Sequence, residues 1–309
     1  MSRIGIVSKR GWILFIALGI IWGTPYLFIR IAVVDLSPAV VVFGRVMIAA
    51  LILLPIAIHQ GHARSLKTHW KGILTFAAIE MCIPFGALGV AEKEISSSLT
   101  GLLIAMVPLI NAVISRQMGL DSVWDARRIL GLFVGFFGVG MLVGFDISAS
   151  NYWAIILCLF AATGYALGPI IITKMLSDVA SIGVIAWSLL VAGIVYLPFV
   201  TYEVLNDSWR APGVTEVSQE AILSVIALGV LFSAIAFVAL FALIKEVGPT
   251  RTTVITYINP AVAIILGVIV LSEPITTGIM IGFPLVLIGS VMATRRNVEV
   301  SSVSAAEER

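Results

Sequence analysis

Apolar runs of nearly one length alternate with short polar breaks along the whole chain. Ten such runs lie at 12–33, 37–58, 70–91, 95–116, 128–146, 152–174, 181–202, 220–244, 249–271 and 275–294. A helix rises about 1.5 Å per residue, so roughly 20 apolar residues cross a hydrocarbon core of about 30 Å. The pattern predicts an all-α polytopic membrane protein of ten transmembrane helices. Only the break at 203–219, with Asn206, Asp207, Trp209, Pro212 and Gly213, is long enough for a real surface loop. The first run lacks a small-residue cleavage site and is read as a retained helix. The polar, Ser-rich stretch 295–309 is expected to be a disordered cytoplasmic tail.

Composition sharpens this. The 309 residues are 60% hydrophobic and only 12% charged, with a mean hydropathy of +1.11. A soluble domain carries about twice that charged fraction, and a disordered chain needs the opposite balance. Both classes are excluded. Lys and Arg set orientation, because cytoplasmic loops retain positive charge. An internal N-terminus puts 15 of them, among them Lys9, Arg10, Arg64, Lys67, Arg127, Arg128 and Lys174, on the cytoplasmic side and only Arg30, Lys93 and Arg210 outside, with Arg45 inside the second helix. Both termini are therefore expected in the cytoplasm. The net charge of +2 forms no basic stripe, so no nucleic-acid partner is expected.

A repeat underlies the hydropathy. Pro25 to Arg30 and Pro169 to Lys174 share a proline-to-cation spacing 144 residues apart; Lys93-Glu94, Thr100, Pro108 and Asp121 recur as Lys245-Glu246, Thr252, Pro260 and Glu273 at an offset of 152. The halves are 12–146 and 152–294, five predicted helices each. Five is odd, so the second copy enters the membrane from the opposite side. Inverted repeats are the usual basis of alternating access, in which two halves exchange conformations around a central site.

Candidate chemistry follows from that frame. Prolines interrupt matched helices: Pro25 and Pro169 in helices 1 and 6, Pro108 and Pro260 in helices 4 and 9, with Pro84 in helix 3. Such paired breaks point to hinges and to a binding site. Thr252, Thr256 and Asn259 fall on one face of an ideal helix, and Thr100 and Asn111 on one face of helix 4. They are candidates for substrate contact or for interhelical hydrogen bonding. Trp22, Tyr26, Tyr165 and Tyr257 lie deep enough to wall a small-molecule site, whereas Trp12, Trp70, Tyr152 and Trp153 sit at helix ends and fit an interfacial belt. Glu80 and Arg45 reach similar depths near the midplane, so they are expected either to pair or to leave Glu80 as a proton or cationic-substrate site. Glycines 131, 135, 138, 140 and 144 and glycines 278, 282 and 289 permit close helix contact, within a monomer or across a homodimer. Cys82 and Cys158 read as packing residues, and His59, His62 and His69 fit no zinc pattern. No enzyme motif is present, and no cofactor or metal is expected.

Trp22-Gly23 with Arg30, Arg45, Pro108, Pro260, Glu273-Pro274 and Gly282 with Gly289 together resemble the drug/metabolite transporter superfamily, EamA type. The chain is also similar to YddG-type amino-acid exporters. The resemblance implies a bacterial inner-membrane exporter of amino acids, aromatic ones among them, or related metabolites. It implies a central cavity lined by helices 1, 3, 4, 6, 8 and 9, braced by 5 and 10. The alternative is a carrier of another solute, such as a drug, a nucleotide sugar or a polyamine. Ala166 departs from the pattern where the first repeat has Trp22.

Overall fold

The structure, a computed structural model, describes residues 8–119, 125–146, 152–247 and 252–294. The expected tail at 295–309, and the Asp121 side of its match to Glu273, lie outside the described residues. Within them the chain is helical, with one isolated bridge between Leu36 and Arg210.

Eight stretches are long and apolar enough to cross a membrane: α1 (Lys9–Asp35), α2 (Pro38–His62), α3 (Trp70–Ala91), α4 (Ser97–Gln117), α6 (Tyr152–Met175), α7 (Ser181–Leu205), α8 (Gln219–Val247) and α10 (Thr277–Thr294). Between them come α5 (Ala126–Asp146) and α9 (Asn259–Leu271), the latter reached through a 3-10 turn at Thr253–Tyr257. The apolar stretch around α9, Ile255–Leu271, is shorter than a full span. This is a multi-pass membrane protein. Apolar side chains outnumber what a soluble core can hide, and residues such as Phe133, Phe137, Trp153, Ile269 and Met280 stand largely exposed where lipid would cover them.

Serine starts four of these helices. Ser8, Ser37, Ser96 and Ser218 each accept a hydrogen bond from the backbone N–H three residues on, at 3.0–3.2 Å. In an apolar medium an orphan N–H at a helix start has no water to turn to, so the cap matters more than at a soluble surface.

Proline marks where the helices break. α1 divides at Thr24 before Pro25, and the Thr24 hydroxyl donates to the Ile20 carbonyl at 2.7 Å. α4 divides at Ala105–Met106, just before Pro108, and α9 starts at Asn259-Pro260. Pro84 follows a π-helical segment, Ala77–Cys82, in α3. Pro169 differs: α6 runs unbroken through it, so the expected hinge matching Pro25 is not a break in this conformation. Two further π-helical segments are Ile58–His62 at the end of α2 and Val230–Ile235 in α8, and the latter begins 153 residues after the one in α3. Extra-residue turns of this kind are rare and gather at functional sites. The matched positions of those in α3 and α8 add a backbone feature to the repeat seen in the sequence.

Helices α5 and α10 lie in direct contact with each other. A methyl group built at Gly289 would strike the backbone of Gly131 and Gly135, and one at Gly138 would lie 3.0 Å from the Gly282 carbonyl. These glycines let the two helices of one chain pack closely. Gly140 meets nothing within 4 Å and takes no part.

Candidate functional site

Burial changes along the length of α4. Ser97 to Leu103 are buried throughout, against α1, α6 and α9, while most positions from Val107 to Ser115 are only half-buried. The fully buried and the half-buried stretches meet at the Pro108 break. The sealed end carries the 92–96 and 203–218 connections.

Between the two lies a group of aromatic and charged side chains. Trp22 meets Phe237 of α8 edge-on, with ring centroids 6.1 Å apart, and Phe237 stacks on Phe241 at 6.5 Å. Tyr165 of α6 tilts against Phe85 of α3 at 6.5 Å and packs on two apolar clusters at once. Tyr26 is 7% exposed and lies against Gly101 of α4. These rings give an apolar wall of the kind small-molecule sites use.

Two charges complete the group. The Arg45 guanidinium lies 4.0 Å from the centroid of Phe85, and its Nε donates to the Ser233 hydroxyl at 2.9 Å. Ser233 in turn donates to the Leu228 carbonyl at 2.9 Å, inside the π-segment of α8. The expected Arg45–Glu80 pair is therefore not formed. Matching depth allowed it, but the cation is held by a ring and a hydroxyl instead. Glu80 sits in the π-segment of α3 with Oε2 enclosed and without a hydrogen-bond partner. Its carboxylate rests on the bare Cα of Gly168, one residue before Pro169, where any side chain would collide with it.

The polar candidates divide. Asn111 donates to the Ala166 carbonyl of α6 at 2.8 Å and takes the Ser115 hydroxyl at 3.3 Å. Asn259, with its amide turned to suit its neighbours, donates to the Gly19 and Ile255 carbonyls, both at 3.1 Å. Both asparagines tie helices together, and Asn111 does so at the residue equivalent to Trp22. The Tyr257 hydroxyl meets the Ser290 carbonyl at 3.3 Å and the Thr294 hydroxyl, so it faces α10 rather than the aromatic group. Thr252 is buried and Thr256 half-buried. The turn between them is wound as a 3-10 helix with three residues per turn, so Thr252, Thr256 and Asn259 do not share the face an α-helix would give them. Thr100 is fully buried and its hydroxyl donates to the Ser96 carbonyl at 3.0 Å.

Phe85, Ser233 and Phe237 were not singled out by sequence. A lone Ser or Phe in an apolar run carries no signal of its own; only the repeat match between the π-segments of α3 and α8 could have marked Ser233. No cluster of His, Cys, Asp or Glu among the described residues is arranged to hold a metal.

An EamA-like transporter family model matches the chain twice, over residues 9–144 and 152–295. The uncharacterized inner membrane transporter YedA of Escherichia coli (strain K12) is 28% identical over 254 residues, covering 81% of this chain and 79% of that protein. The uncharacterized transporter YvbV of Bacillus subtilis is 24% identical over 284 residues, covering 91% and 90%. A solved crystal structure superposes with a TM-score of 0.65 at 18% identity over 94% of this chain and 98% of that one, a likeness of fold alone.

Proposed function

Because the chain belongs to the EamA-like transporter family, we propose that it exports amino acids or closely related amines across a bacterial inner membrane by alternating access. In this reading the ten helices are ten spans, arranged as two inverted five-helix halves at 12–146 and 152–294, with both termini cytoplasmic. The looser end then faces the cytoplasm, where the Lys and Arg residues gather.

One observation carries the substrate class: an enclosed, unpartnered carboxylate oxygen on Glu80 beside an aromatic wall. An ammonium group would supply the missing donors, and a bulky apolar side chain would lie against Trp22, Phe237 and Tyr165. Arg45, held by Phe85 and Ser233, is poorly placed to leave its site for a carboxylate. The same acceptor suits a polyamine or a cationic drug, which makes these the competing solutes.

Purified protein in liposomes, loaded in turn with labelled aromatic and aliphatic amino acids and with spermidine, tests this with and without a pH gradient. Efflux of an aromatic amino acid, reduced at least tenfold by Glu80→Gln, is the expected outcome. Efflux of spermidine alone would transfer the site to polyamines. An unaltered rate and pH profile in Glu80→Gln would remove Glu80 from the site.

A further inference from the structure

Helix α3 ends in a second acid that hydropathy reads as part of a polar break. Glu92 directly follows Ala91, is 0% exposed, and has no hydrogen-bond partner at either carboxylate oxygen. A carboxylate at a helix end is ordinarily solvated by interfacial water, and this one is closed off from it.

The groups facing Glu92 come from several elements: Tyr26 and Arg30 of α1, Arg45 of α2, Cys158 and Tyr165 of α6, and Glu273 following α9. No side chain among them donates to its carboxylate, although Arg30 and Arg45 bring positive charge toward it and the Arg30 backbone lies close by. Arg30 donates to the Glu92 backbone carbonyl instead. Arg45 is held by Ser233 and Phe85. Glu273 is itself an acid, already committed elsewhere. It accepts from the backbone N–H groups of Ser97 and Ser98 at 2.8 and 3.0 Å and from their hydroxyls at 3.0 and 2.5 Å. Through these four bonds the second half of the chain clasps the start of α4 in the first half and closes the sealed end. Just outside, a recess of about 410 Å³ is lined by Arg30, Glu94, Ser96, Leu271 and Glu273. Arg30 and Glu273 therefore stand between external water and Glu92.

An enclosed charge without a donor is far less favourable than a neutral carboxyl in the same place, and a second negative charge beside Glu273 weakens the clasp by like-charge repulsion. We propose that Glu92 is a proton-binding site governing this end, protonated while the end is sealed and ionised when the clasp of Glu273 on Ser97 and Ser98 lets go. The step breaks the carboxyl O–H bond and passes the proton to water in the Arg30–Glu273 recess; closure reverses it, and no other reactant enters. The inference deepens the alternating-access reading but needs no substrate and no role for Glu80.

The test is accordingly free of substrate. Spin labels on Lys93→Cys and Ile275→Cys, in a full-length chain with Cys82→Ser and Cys158→Ser, report the distance across the sealed end by pulsed electron resonance in liposomes. Between about pH 5 and about pH 9, a range running from the ordinary carboxylate region to well above it, the parent is expected to gain a longer-distance population several-fold. Glu92→Gln should hold the short distance throughout, and Glu92→Asp should restore the pH response. A Glu92→Gln chain that titrates like the parent, or a parent whose distance ignores pH, overturns the proposal. Should Glu92→Gln not be recovered folded, infrared difference spectra of the parent and Glu92→Asp decide. The expected carbonyl band of a protonated acid fades with rising pH and moves in the aspartate variant; lack of that band counts against the site. Glu80→Gln transport data leave this outcome untouched, so the two readings fail separately.

Discussion

Arg45 and Glu80 show how far side-chain chemistry departs from a reckoning by depth. Two opposite charges near one level of a bilayer invite pairing, since either alone is costly there. Yet Arg45 is satisfied by a hydroxyl and a ring, and Glu80 rests on a glycine. The two arrangements differ in what mutation does. Breaking a buried ion pair costs about 3–5 kcal/mol, so Glu80→Gln would be severely destabilising if the pair existed. We expect it to change thermal unfolding in detergent by less than about 1 kcal/mol, because a neutral amide relieves an unpartnered acceptor. Ser233→Ala should instead lower stability by about 1–3 kcal/mol, since it strips the buried Nε of Arg45 of its acceptor. Equal losses from the two variants would show that Arg45 and Glu80 act as a unit.

At the scale of elements, the α5–α10 contact makes a sharper prediction than any polar residue. Gly289 faces backbone atoms of Gly131 and Gly135, and backbone cannot rotate away as a side chain can. Gly289→Val must push the helices apart and is expected to cost at least about 1–3 kcal/mol, the usual range for overpacking. Gly140, on the same helix but with open space around it, should accept alanine with a gain of up to about 1 kcal/mol from helix propensity. Thermal unfolding of the two variants side by side checks both signs. Much of this architecture was legible beforehand. Eight of the ten predicted spans were, because an apolar run of bilayer length has one economical fold; predicted helix 3 at 70–91 coincides with Trp70–Ala91, whereas the run predicted at 249–271 is a shorter helix. The breaks at Pro25, Pro108 and Pro260 were legible too, because proline lacks the N–H a helix needs. Pro169 lies inside an unbroken helix, since a missing donor permits a break without requiring one. The π-segments left no trace, since an extra residue in a turn changes no composition. Glu92 was hidden by its neighbours: beside Lys93 and Glu94 it looks like one more loop charge, and only tertiary enclosure distinguishes it.

For the whole molecule, the decisive question is whether the enclosed and loose halves of the bundle exchange roles, and pH and accessibility address it together. Loop chemistry must first be set aside. Asp178, in the connection between α6 and α7, is held below the ordinary carboxylate range by its own backbone hydrogen bond and then by His69, which meets it at 3.0 Å from the connection between α2 and α3. An acid depressed in this way adds stability that is present above its ordinary value and is lost only as pH falls through the lowered one. Asp178 is therefore fully ionised above about pH 6 and supplies no pH response of its own there. Accessibility then locates the motion. In a chain lacking Cys82 and Cys158, Ser115→Cys on the half-buried stretch of α4 is expected to react with a membrane-impermeant maleimide from one face of the membrane, while Leu103→Cys on the enclosed stretch is protected from both faces. If the halves rock about the Pro108 break, conditions that open the sealed end must expose Leu103→Cys from the opposite face and protect Ser115→Cys in the same measure. Simultaneous exposure of both positions would describe a channel, and the two-fold repeat would then serve symmetry of a pore rather than exchange of access.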